Sequence, residues 1–145
     1  MEIQEIKALE NEPIHQLVEL SIAEGFNFLK RLIADWSNGE NRFDAIGEGL
    51  YKVIEGNKII GVGGLNKHPY TDENDVGRLR RFYIHPKFRR KGIGKKLIQK
   101  IISEHRQYYT KLTLRTDNIE AAKFYEALGF ERVKNSKFDT HQLVL

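Results

Sequence analysis

Between residues 78 and 105 the chain sets two glycines inside a cluster of positive charge, the build of a site for a phosphorylated ligand. Arg89-Arg90-Lys91-Gly92-Ile93-Gly94 joins two different patterns. Before it, Leu79, Arg81 and Tyr83 alternate with Arg80, Phe82 and Ile84 as in a strand. After it, Ile93, Leu97, Ile98, Ile101 and Ile102 form one apolar stripe at helical spacing. Pro86 cannot donate to a ladder and closes the strand. A helix starts with unpaired N–H groups and a partial positive charge. Glycines let that backbone approach an anion, and Arg89, Arg90, Lys91, Lys95 and Lys96 would add charge-assisted bonds. Two better-known phosphate loops do not match. A Walker loop needs Ser or Thr where Lys96 stands, and a dinucleotide fingerprint needs a third glycine where Leu97 stands.

Two motifs carry a resemblance. Arg89-x-x-Gly92-x-Gly94, after a strand ending Tyr83-Ile84-His85-Pro86, resembles the acyl-CoA motif of the GNAT superfamily of N-acetyltransferases. Asn118-Ile-Glu-Ala-Ala-Lys-Phe-Tyr125-Glu-Ala-Leu-Gly129-Phe130 is similar to that family's second cofactor helix. The match covers about residues 76 to 135; the N-terminal part agrees only in its order of elements. The resemblance implies an α/β fold, a twisted mixed sheet of about six or seven strands flanked by about four helices, with acetyl-CoA as cofactor. It also implies that the pantetheine arm lies in a splay beside the central strand, on the backbone of Phe82, Tyr83 and Ile84. The pyrophosphate would sit on the amides of Arg90, Lys91, Gly92, Ile93, Gly94 and Lys95, helped by the Arg89 and Arg90 side chains. The N–H of Ile84 or Tyr83 becomes the candidate oxyanion donor.

Tyr125 stands at the family's general-acid position, and a phenol with pKa near 10 can return a proton to a thiolate. Its spacing also suits the apolar face of a helix. Asn118 would touch the cofactor arm, cap its helix, or both. Many family members carry a Glu base where this chain has Arg78, which leaves a water, Glu48, Asp44 or His141 as the base. Arg78 and Arg80 share one strand face and predict an acceptor that carries a carboxylate or phosphate beside its amine. Residues 39 to 49 form a glycine-punctuated loop in which Arg42 and Phe43 would meet the substrate, or else Phe43 tucks into the core.

The elements that must position these residues follow in order. Ile3, Glu5 and Lys7 open a strand; Pro13 starts a helix expected to bury Leu17, Val18 and Ile22 and to break at Gly25. Leu29, Leu32, Ile33 and Trp36 mark a second helix, ended by Asn38-Gly39. Leu50–Glu55 and Lys58–Asn66 make a hairpin around Gly56-Asn57. A polar loop through His68 leads to the central strand; with no second ligand at metal spacing, no metal site is expected. Lys111–Arg115 is a short strand, and a helix with Ala121, Phe124, Tyr125 and Leu128 inside ends at Gly129. Phe130–Lys134 and His141–Leu145 are the last strands.

At 145 residues a single domain, 1–145, is expected, and the resemblance implies that it is acetyltransferase-like. No cysteine is present, so acyl transfer must be direct or use oxygen or nitrogen. No apolar run reaches membrane-spanning length and Met1-Glu-Ile-Gln-Glu lacks signal-peptide character, so a cytoplasmic protein without a membrane partner is expected. The net charge of +4 gathers between Lys87 and Lys100. Nucleic-acid binding would want aromatics among those charges, and Lys95 to Lys100 has none. The expected function is N-acetyl transfer to a small-molecule or peptide amine; a non-catalytic acyl-CoA-binding module is the alternative. Apolar residues exposed on the first helices or final strand could pair two copies as a homodimer.

Overall fold

The computed structural model describes residues 1–145. Seven strands form one sheet: β1 Glu2–Glu5, β2 Gly49–Glu55, β3 Lys58–Lys67, β4 Val76–Ile84, β5 Lys111–Leu114, β6 Glu131–Arg132 and β7 His141–Val144. Four helices flank it: α1 His15–Ala23, α2 Phe28–Asn38, α3 Ile93–His105 and α4 Ile119–Ala127. The strand order is β1-β2-β3-β4-β5-β7-β6, and only β4 and β5 run parallel. A parallel pair needs a crossover, which α3 supplies.

The sheet divides the core. On one face α3 and α4 lay Ile93, Leu97, Ile98, Ile101 and Tyr125 against Leu65, Leu79, Leu112 and Leu114. On the other, α1 and α2 cover Leu50, Val62 and Tyr83 with Leu17, Leu29, Leu32 and Trp36. The α1 register differs from the expected one. Its inner face is Ile14, Leu17 and Ser21, whereas Ile22 is 45% exposed. Ser21 is tolerated inside because its hydroxyl donates to Val18 O at 2.7 Å.

The alternation on β4 also differs. Val62 pairs with Tyr83 but Gly64 with Arg80, so β4 carries one extra residue, and Arg81 takes φ +58°. The bulge breaks the expected two-residue rhythm. Leu79, Phe82 and Ile84 face α3, while Tyr83 faces α1 and α2. Arg78 and Arg80, opposite Asn66 and Gly64, lie on that second face too, and Arg81 reaches Asp35 of α2 at 3.4 Å.

Most consequential for the site, β5 pairs with β4 only at Val76, Gly77 and Arg78. Beyond them β5 is drawn to β7, with which it pairs over all four residues. Thr140 fixes the departure: its N–H donates to Leu114 O at 2.9 Å and its Oγ1 accepts from Thr116 N at 3.0 Å. The sheet therefore opens between β4 and the chain leading to α4. Replacing Leu17 by Ala should cost about 2–5 kcal/mol, and Ile22→Ala no more than about 0.5 kcal/mol, read from urea midpoints.

Candidate active site

Three structures converge on the open edge of β4. The first is the edge itself. His85 N–H bonds Ile60 O at 2.8 Å, and Tyr83 is paired opposite Val62. Antiparallel alternation then turns the N–H groups of Ile84 and Phe82 to the side where β5 has left. Tyr83's own N–H belongs to the β3 side. Of the two oxyanion donors the sequence suggested, geometry favours Ile84, with Phe82 beside it.

The second is the loop into α3. Gly92 takes φ +79° as N-cap, a left-handed conformation natural to glycine, and Arg90 takes φ +63°. None of the six amides from Arg90 to Lys95 has an acceptor within the protein; the first helical bond runs from Lys96 N to Gly92 O at 3.1 Å. Gly94 is needed for closeness rather than conformation. A Cβ there would meet Phe124 Cζ at 2.9 Å, so its hydrogen lets α4 and Phe82 pack against the head of α3. The Arg90, Lys91, Lys95 and Lys96 side chains are exposed around these amides. This is a cradle fit for a pyrophosphate.

The third is an aromatic wall. The Tyr125 ring meets Phe82, Phe124 and Phe130 with centroids 6.0, 5.2 and 5.6 Å away. Burial pushes its phenol pKa well above the ordinary value of 10.0, and its hydroxyl forms no hydrogen bond within the protein. Asn118 caps α4, its Oδ1 accepting from Ala121 N at 2.9 Å.

Other residues named from sequence are held elsewhere. The Arg89 guanidinium makes a two-pronged bond to Glu24 at 2.7 and 2.9 Å, donates to Ile84 O at 2.9 Å and lies over the Tyr83 ring. Its charge is already met by a carboxylate, so the array of amides, not Arg89, is the stronger anion feature. Phe43 is buried on Gly64 and Leu50 and belongs to the core, not to an acceptor contact. Arg42 donates to Trp36 O at 2.8 Å and, with Asp44, lines a hollow beside Lys7 and Glu10. Both oxygens of Glu48 accept from backbone N–H groups, of Ala45 and Lys67. His141 is fully buried, with Nε2 2.8 Å from Glu126 Oε2 and Nδ1 2.9 Å from Thr140 Oγ1, so neither nitrogen is free to act as a base. Arg78, buried, donates to Asp139 and to Phe138 O and lies beneath Tyr70. Asp139 also receives His68 Nε2 at 3.0 Å. Neither Glu24 nor Asp139, the partners of Arg89 and Arg78, stands in a motif of the sequence. A signal existed for the second: an arginine on a central strand demands a buried counterion.

Residues 47–132 match the model of the acetyltransferase (GNAT) domain family. The chain belongs to the GNAT family. Its GNAT fold is shared with a protein of Exiguobacterium sp. 255-15 provisionally described as an acetyltransferase, at 28% identity and TM-score 0.88 over 99% of this chain and 92% of that one. A GNAT acetyltransferase of Elizabethkingia anophelis, solved with acetyl-CoA bound, superposes with TM-score 0.66 at 21% identity over 99% and 97% of the two chains. A curated relative, spermine/spermidine N(1)-acetyltransferase of Bacillus subtilis (strain 168), is 32% identical over 90 residues, 57% of each chain. The matched stretch thus spans little more than half of that relative's length. No helix is long and apolar enough to cross a membrane.

The Glu24–Arg89 contact makes the site's upper rim sensitive to acid. Hydrogen bonding from Arg89 holds the Glu24 pKa below its ordinary 4.5. The pair therefore stabilises the fold fully above that value and loses its contribution as pH falls through the lowered pKa. Urea unfolding of wild type should weaken more steeply below pH 4.5 than that of Glu24→Gln. Equal slopes would show that the pair does not form in solution.

Proposed function

We propose that this GNAT protein is an N-acetyltransferase, moving the acetyl group of acetyl-CoA directly to an amine of a small molecule or peptide terminus. The observation that supports it best is the meeting of six unpaired amides at the head of α3 with the unpaired edge of β4. The name of the Bacillus subtilis relative adds support for an amine acceptor.

When bound, acetyl-CoA supplies a thioester: the amine nitrogen bonds to the acetyl carbon, the carbon–sulfur bond breaks, and the sulfur leaves with the electron pair. In this reading the amides from Arg90 to Lys95 hold the pyrophosphate, with the Arg90 and Lys91 side chains neutralising it. The N–H groups of Phe82 and Ile84 orient the arm as a neighbouring strand would. One of them donates to the acetyl oxygen as its negative charge grows, a contribution of about 3 kcal/mol for such donors. Tyr125 keeps its proton because burial disfavours the phenolate, and its hydroxyl delivers that proton to the departing sulfur. The amine's surplus proton is assigned to water, since Arg78 occupies the family's base position and Glu48 and His141 are engaged.

Acetyl-CoA consumption with an amine acceptor, read as free thiol, tests the role of Tyr125. Tyr125→Phe should lower kcat about a hundredfold while leaving acetyl-CoA affinity within threefold of wild type. An unchanged kcat would reduce Tyr125 to a core residue.

A further inference from the structure

The bulged face of β4 carries more than the two arginines considered from sequence, and their partners separate their roles. In register across four strands lie Asn66, Arg78, Thr113 and Gln142, all on the face away from α3. Asn66 is occupied, exchanging two hydrogen bonds with Asn41 at 2.9 and 3.0 Å. Arg78 is neutralised by Asp139, as is Arg81 by Asp35. Arg80 differs from both. It is half-buried between them, with no hydrogen bond and no carboxylate. Its charge is felt by both neighbours, lowering the pKa of each after the larger effect of burial. Arg31, on α2, adds a further unpaired guanidinium felt at Arg81. On β5, in register with Arg78 and so diagonal to Arg80, Thr113 Oγ1 is buried without any partner, and the half-buried Gln142 amide one strand further on also forms no hydrogen bond. A buried hydroxyl left unpaired is costly, and an acceptor oxygen at that point would relieve it.

We infer that the acceptor carries an anionic group, a carboxylate or a phosphate, bound by Arg80 and completed by Thr113 and Gln142, and that polyamines are excluded. The inference rests on the acyl-transfer reading above and names the class of acceptor for that same site. Arg80 lies two residues before Phe82, with the bulge at Arg81 between them, so its charge stands beside the mouth of the opening through which an amine must come. A planar guanidinium matches both carboxylate and phosphate oxygens. A polycation would instead meet the uncompensated Arg80 guanidinium on entry. The name of the Bacillus subtilis relative points the other way, to spermine and spermidine. The two expectations cannot both hold for this chain.

Matched pairs of amines isolate the charge: amino acids beside their carboxamides, ethanolamine beside its phosphate ester, and spermidine alone. Two readouts are taken on the full chain, thiol release with acetyl-CoA and thermal unfolding of the CoA-saturated protein with each amine added. At least one anionic member should exceed its uncharged partner at least tenfold in kcat/KM and raise the unfolding temperature where the partner does not. Whether the carboxylate or the phosphate pair responds distinguishes the two sources of charge. Arg80→Ala should collapse that ratio towards one through KM, and Arg80→Lys should restore part of it. Thr113→Val should raise KM for the anionic member severalfold without lowering the unfolding temperature, which a purely structural hydroxyl would not do. Equal use of charged and uncharged partners, efficient use of spermidine, or a ratio unmoved in Arg80→Ala would overturn the inference. So would acetyl-CoA binding with no anionic amine either bound or acetylated. Anion binding at Arg80 without acetyl-CoA binding would instead remove the transferase reading and leave the anion site standing.

Discussion

Everything at this site depends on β4 losing its neighbour part-way along. A central strand ordinarily has both edges paired, and unpaired edge groups are costly unless covered or used. Here β5 follows β4 for three residues and then belongs to β7, with Thr140 pinning its exit. The backbone of Phe82 and Ile84 is left facing a gap. The same exit delivers the chain to Asn118, which starts α4 and so brings Tyr125 to the far wall of that gap. One divergence thus creates both the edge and the group that faces it.

The two faces of β4 do different work because of the bulge at Arg81. Towards α3 it presents Phe82 and Ile84 to an aromatic and aliphatic wall, where Gly94 lets the head of α3 close in. Towards α1 and α2 it presents three arginines, two of them paired with aspartates. Buried ion pairs repay their desolvation poorly, so Arg78–Asp139 and Arg81–Asp35 are better understood as fixing the loops they join than as sources of stability. Asp139 ties the segment before β7 to β4, and Asp35 ties α2 to it. Arg80 then stands as the charge these ties leave over.

Much of this was legible in the chain. The Gly92-x-Gly94 loop, the helix after it, the capping Asn118 and the position of Tyr125 follow from local patterns that the fold respects. What was not legible depends on tertiary pairing. A one-residue bulge leaves no mark in Arg78-Leu-Arg-Arg-Phe-Tyr-Ile84, yet it reassigns the faces of Phe82 and Tyr83 relative to Leu79 and Arg80. Ile22 looks like a core residue by spacing and lies outside because α1 turns Ser21 inward. Arg89 matches the family motif, but which anion it meets is decided by Glu24, 65 residues away in sequence. A histidine near the sheet is a natural candidate for a base, and only the two fixed partners of His141 show it to be structural. Thr113 carries no signal at all until its neighbours across the sheet are known.

The most direct test of the account is the unfolding temperature of the protein with and without acetyl-CoA, using AMP as a control. A ligand at a hundred times its dissociation constant adds about 2.7 kcal/mol, which in a domain of this size raises the midpoint by about 5–10 °C. That rise is expected for acetyl-CoA, a much smaller one for AMP, and its loss in Gly92→Glu/Gly94→Glu, where carboxylates would meet the unpaired amides. No rise with acetyl-CoA would contradict it, leaving the open edge of β4 and the amides of Arg90 to Lys95 without the ligand they are argued to hold.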